Sequence, residues 1–151
     1  METSIKTHLH EQCLSYIQNC IDNVQFALTD ALQSANSESK SSAGDKHETT
    51  RALLQLEQEK HAKQLQEMMV LKEKLMRIDP TIQSEVITTG SIVITSGGNF
   101  YIAIPAGKLS INNISYIAIS PNSPIANKLM GLKAKSVTWF NGITYDIESV
   151  F

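Results

Sequence analysis

The sequence predicts an α+β protein: an N-terminal antiparallel helical hairpin, then a small antiparallel β domain with one short helix. Three observations predict it. Apolar residues repeat with a heptad period through the N-terminal part, and that period breaks at Asp79-Pro80. Beyond the break, Ile-, Val- and Thr-rich runs alternate with Gly, Asn and Pro.

In the N-terminal part, Leu14, Ile17, Ile21, Val24, Leu28 and Ala31 recur at spacings of 3, 4, 3, 4 and 3, with no Gly or Pro before Gly44. That is a coiled-coil seam. Cys13, Cys20 and Ala27 flank it at intervals of seven. A second helix is predicted from about Lys46 to Arg77, with Leu54, His61, Leu65, Met68, Leu71 and Leu75 on one stripe. Between the two lies a small, polar segment, Ser34 to Gly44, read as the turn of a hairpin. Each helix of about 30 residues is about 45 Å long. A narrow apolar stripe is covered most directly by the other helix of the same chain, which makes a monomer. An intermolecular coiled coil is the competing arrangement.

Pro80 disfavours helical backbone at Asp79 and ends the second helix. The predicted domains are therefore 1–79, a hairpin with its tip near 37–48, and 80–151, a β domain. In the latter, strands are expected at 85–95, 100–104, 109–120, 135–140 and 143–150. Ser96-Gly97-Gly98-Asn99 and Asn141-Gly142 supply turns. Ser123 to Met130 reads as one short helix, opened by Ser-Pro and closed by Gly131.

Net charge is −2, which gives no overall attraction to nucleic acid or an anionic membrane. Residues 1–79 carry 9 Lys/Arg and 12 Asp/Glu, and residues 80–151 carry 4 and 3. No basic stripe interleaved with aromatics appears, so direct sequence-specific nucleic-acid binding is not expected. No apolar run reaches the length of a membrane span, and the N-terminus lacks the pattern of a secretion signal. Cys13 and Cys20 stand two helical turns apart, too far for a mutual disulfide, as expected of a cytoplasmic protein with reduced thiols.

Two constellations carry chemistry. Gly44-Asp45-Lys46-His47-Glu48 sets two carboxylates three residues apart at a helix start. Such a pair offers oxygen ligands to Mg²⁺, and the same Asp-x-x-Glu spacing is also a capping box. The four histidines and two cysteines show no zinc-ligand spacing, and no phosphate loop is present.

The second constellation is Ser123-Pro124-Ile125-Ala126-Asn127-Lys128-Leu129-Met130-Gly131. It resembles the Ser-Pro-Ile-Ala/Gly-Arg-Ala-Leu-Leu-Gly segment of the Gre family (GreA/GreB) of bacterial transcript-cleavage factors. Gly44-Asp45-x-x-Glu48 is similar to that family's tip motif, and Asn141 to Ile147 resembles its last hairpin. The resemblance implies a coiled-coil hairpin and an FKBP-like β domain. It also implies a role as an accessory factor rather than an enzyme, bound in the secondary channel of RNA polymerase. There Asp45 and Glu48 would share Mg²⁺ with the polymerase, which itself cleaves backtracked RNA. Ser123, Pro124, Ile125 and Ala126 would contact the polymerase, and no cofactor is implied for the isolated chain. The sequence departs from the family at Thr49-Thr50-Arg51, where Asn-Ala-Glu-Tyr is usual, and in the Ser-rich 34–42 segment. The residues alone also admit a coiled-coil interaction module whose β domain binds peptides, unrelated to transcription.

Overall fold

The structure, a computed structural model, describes the backbone of residues 2–39 and 44–151, and side chains over 4–34 and 48–151. It is α+β. Helices α1 (Glu2–Ser39) and α2 (Gly44–Met76) precede strands β1 (Ile92–Thr95), β2 (Gly98–Ile102), β3 (Gly107–Ile111) and β4 (Ile114–Ile119). Helix α3 (Pro124–Leu129), β5 (Val137–Phe140) and β6 (Ile143–Val150) complete the chain. Contacts gather it into two compact units, one formed by Met1–Tyr16 with Glu73–Phe151 and the other by Ile17–Lys72. The division expected at 79/80 follows the change of hydrophobic period. The compact units instead cut through both helices, because the first turns of α1 are buried with the sheet.

In the unit Ile17–Lys72, Ile17, Ile21 and Ala31 are buried and Val24 and Leu28 half-buried, while Phe26 on the opposite face is exposed. On α2, Leu54, His61, Leu65, Met68 and Leu71 are half-buried, while Leu53, Leu56, Met69 and Val70 are exposed. The predicted stripes are thus the protected ones. The Lys72 ammonium donates to Gln18 Oε1 at 2.7 Å. His61 Nδ1 lies 3.2 Å from Gln64 Oε1, so this polar member of the stripe is satisfied within its own helix.

Of the polar segment expected as a turn from Ser34 to Gly44, Ser34 to Ser39 are helical in the structure. Helix α1 continues through Ser39 and α2 opens at Gly44. Ser and Asn have modest helix propensity, but a long helix propagates through them at small cost per residue. The remainder of the expected turn, 40–43, lies outside the described residues.

The other unit is built on a six-stranded sheet in the order β3-β4-β2-β1-β6-β5. Five antiparallel strands were expected, and two physical details account for the difference. The 109–120 stretch is two strands, β3 and β4, joined by Asn112 and Asn113 at φ 52° and 65° with Ile111 paired to Ile114. Asn tolerates left-handed backbone, so this pair makes the tight turn that Asn141-Gly142 makes between β5 and β6. Strand β4 then returns between β3 and β2 and pairs parallel to β2, Phe100 opposite Ile117, which makes the sheet mixed. The strand expected at 85–95 is regular only over Ile92–Thr95, and Val86 forms a single bridge to Lys133.

Both faces of the sheet are covered. Val93, Phe100, Ile102, Tyr145 and Ile147 form a core with Ile87 and with Leu129 of α3. The alternate residues Ile92, Tyr101, Tyr116 and Ala118 point to the opposite face and are also buried. There Leu9 and Cys13 of α1 are fully buried, and Gln12 Nε2 donates to Ser110 O at 3.0 Å.

Candidate functional site

The Ser123–Gly131 segment folds as its residue types dictate. Ser123 is extended (φ −67°, ψ 153°) and caps α3, its Oγ accepting from Ala126 N at 3.3 Å and donating to Ser120 O at 2.8 Å. Pro124 occupies the first helical turn, where its missing N–H costs nothing. At the other end Gly131 takes φ 82°, and its N–H donates to Ile87 O at 2.9 Å. Of the four residues the resemblance assigns to partner contact, Pro124 is exposed and Ser123 and Ile125 are half-buried. Ala126 has no exposed surface. Its small side chain serves the packing of α3 beside Leu129, so only Pro124 and parts of Ser123 and Ile125 are open to solvent.

At the other candidate site, α2 opens at Gly44, so Asp45 stands in the first turn of the helix. A carboxylate there is favoured by the helix dipole whatever else it does. The Asp45 side chain lies outside the described residues, and Glu48 is exposed. Both readings of Asp45, cap and ligand, therefore concern atoms that are not described. Among the described residues no group of three or more His, Cys, Asp and Glu side chains gathers at one point.

Sequence reasoning missed a row of polar side chains on the first turns of α1. Lys6 and His10 are buried, with 2% and 7% of their surface exposed, and Cys13 has none. Lys6, His10, Cys13 and Ile17 stand at spacings of 4, 3 and 4, in phase with Ile21. That phase was the available signal: the apolar seam continues toward the N-terminus through residues that are not apolar. His10 Nδ1 lies 3.1 Å from the Tyr101 hydroxyl, which β2 points to the same face. Burial holds the His10 imidazole below its ordinary pKa, against the weaker pull of Glu11 and Asp79. It raises the Tyr101 phenol and pushes the Cys13 thiol up to about 12. A thiol so held stays protonated at neutral pH.

Lys6 also reaches a cleft of about 510 Å³ that lies wholly in the sheet-containing unit. Its ammonium donates to Ile82 O at 2.6 Å and Phe151 O at 3.4 Å. Ile78, Ile82, Ala103 and Pro121 supply apolar wall, and Lys74, Arg77 and Asp79 stand among the other lining residues. The Asp79 carboxylate accepts from the Thr81 hydroxyl at 2.6 Å and Thr81 N at 2.9 Å, bonds that hold its pKa below the usual range. A second hollow of about 370 Å³ lies between Ser4, His8 and Gln12 of α1 and the β3 end.

No protein-family profile matches the chain, and no curated protein matches it. Among the described residues no helix is long and apolar enough to cross a membrane.

Proposed function

We propose that this chain is a Gre-type factor that binds bacterial RNA polymerase through its secondary channel and modulates elongation. Asp45 and Glu48 are presented to the polymerase active centre and stimulate cleavage of backtracked RNA. The observation that carries this reading is the opening of α2. Helix α1 is described through Ser39, 38 residues, and α2, 33 residues, begins at the Gly-Asp-x-x-Glu motif. Along its own axis α2 spans about 50 Å, the reach that a channel of this kind demands. The capped α3 at Ser123 adds the second element of the resemblance. In the finer form of the proposal, α1 and α2 are an antiparallel coiled-coil hairpin and the sheet is an FKBP-like domain. The factor acts in the cytoplasm as a monomer.

Exposed Glu48 leaves a carboxylate open to an ion held by a partner, and carboxylate oxygens suit Mg²⁺. In the complex the metal supplies the charge that stabilises attacking and leaving oxygens. The chain contributes the two acids and their placement, and the cleaving site belongs to the polymerase.

The deciding measurement is cleavage of stalled, backtracked transcription complexes at fixed Mg²⁺, with and without the protein. The parent should accelerate cleavage. Asp45→Asn, which still favours a helix start but lacks the full charge, should bind polymerase equally and lose the acceleration. If Asp45→Asn cleaves as the parent does, Asp45 only supports the helix. If the chain fails to bind polymerase at all, the Gre-type reading is wrong.

A further inference from the structure

Strand β5 forms one edge of the sheet; it is four residues long and pairs only with β6. In an antiparallel pair, alternate residues exchange both backbone bonds with their partners, and the residues between direct N–H and C=O outward. The two-residue Asn141-Gly142 turn makes Phe140 and Ile143 the closing bonded pair. Thr138 then bonds to Tyr145, and the backbone groups of Val137 and Trp139 point outward. The same count on the opposite edge turns Ser110 of β3 outward, where its O accepts from Gln12 Nε2 of α1 at 3.0 Å. On β5, among the described residues, no hydrogen bond reaches the outward groups of Val137 and Trp139. Their side chains share a face with Asp146, away from the core that holds Tyr145 and Ile147, and 54% and 68% of their surface is exposed. No Pro or charged residue guards the strand; only its shortness does.

We propose that this edge binds one extended peptide segment with apolar side chains at alternate positions, which adds a seventh strand to the six-stranded sheet. Two N–H and two C=O groups are matched in spacing by the backbone of an extended chain. An apolar residue opposite Trp139 and another opposite Val137 would cover both exposed side chains. Charge favours neither sign of peptide, since exposed Lys133 and Lys135 before the strand balance exposed Asp146 and Glu148 on β6. A second copy of the chain is the poorer occupant. Pairing β5 with β5 joins four residues a side over about 13 Å, far short of the roughly 800 Å² per partner in a stable dimer. The proposal uses neither the α2 opening nor α3 and so stands apart from the polymerase reading.

The test is an NMR titration of the whole chain with the peptide acetyl-Thr-Val-Thr-Val-Thr-amide, read at the Val137 and Trp139 amides and the Trp139 indole. Saturable shifts are expected at all three. With the peptide valines opposite Val137 and Trp139, their N–H groups bond to β5 and the central threonine N–H points away. N-methylation of both valines should therefore weaken binding at least about tenfold, and N-methylation of the central threonine less than about twofold. Trp139→Ala, at an exposed position, should keep the fold and weaken binding about tenfold. Val137→Pro, which removes only an outward N–H, should also lose the peptide. Should that variant fail to fold, the two methylated peptides on the parent chain decide. Equal affinity for the two methylated peptides, or no saturable shift at these residues, would each overturn the proposal. Concentration-dependent shifts there in the free chain would overturn it too, because a second copy then holds the edge.

Discussion

His10 Nδ1 and the Tyr101 hydroxyl meet at 3.1 Å, both side chains buried, one from α1 and one from the central strand β2. This contact ties the first turns of a long helix to a sheet that begins more than eighty residues later. Without a partner either group would be a buried polar atom in an apolar layer that includes Leu9, Cys13 and Ile92.

Tyr101→Phe removes the hydroxyl and leaves the His10 nitrogen buried and unpaired. The expected cost is about 1–3 kcal/mol, read from the urea midpoint at neutral pH. A change within error would mean that the hydrogen bond contributes nothing net.

The same site makes stability depend on pH. Burial lowers the folded pKa of His10 from its ordinary 6.5. Buried Lys6, one turn away on the same helix, and buried Cys13 and Tyr101 offer it no anion at neutral pH, and Glu11 and Asp79 are exposed. Neutral His10 therefore contributes fully above 6.5. That stability is lost as pH falls from 6.5 through the lower folded value, where the unfolded chain binds the extra proton. Denaturant midpoints measured between about pH 7.5 and about pH 5 should fall in the parent and fall less in His10→Gln.

Gly97 closes the β1–β2 turn against the ring of Tyr145. A Cβ built there would stand 2.6 Å from Tyr145 Cε1 and 2.7 Å from Cδ1. That ring is itself buried and packs edge-on to Phe100 with centroids 5.9 Å apart, so it has little room to retreat. Gly97→Ala should cost about 1–3 kcal/mol. Adding Tyr145→Leu should give a total smaller than the sum of the two single effects, because the clash is shared. Strict additivity in thermal melts would show that the turn shifts instead.

Ser123→Ala removes the side-chain acceptor at the start of α3 and the donor to Ser120 O. The expected loss is about 0.5–2 kcal/mol. Ser123→Asp should retain most of the capping, since its carboxylate also accepts from the helix N–H. Amide exchange at Ala126 reports this locally and should accelerate in Ser123→Ala alone.

Much of the fold was legible because it is set by short-range rules. The 3-4 spacing from Leu14 to Ala31 located a helix and its protected face. Pro80 marked the change of period, Ser123-Pro124 and Gly131 bounded α3, and Asn141-Gly142 placed a two-residue turn. Each of these depends on φ/ψ preference or side-chain period within a few residues. The Asn112-Asn113 turn obeys the same rule but carries no Gly, so its signal was weaker and two strands read as one.

Other features were decided only in three dimensions. That β4 lies parallel to β2 depends on where a returning strand finds an unpaired edge, which no local spacing encodes. Ala126 matches a motif as well as Pro124 does, yet helix phase buries one and exposes the other. Lys6 and His10 look like ordinary surface residues in sequence. They are buried because the face of α1 that carries them also carries Leu9 and Cys13, and the apolar area those two bury holds the whole face against the sheet. Local chemistry determined the helices, turns and caps. The tertiary structure decided which polar groups lost their water, because desolvation depends on what packs above a residue rather than on its neighbours in sequence.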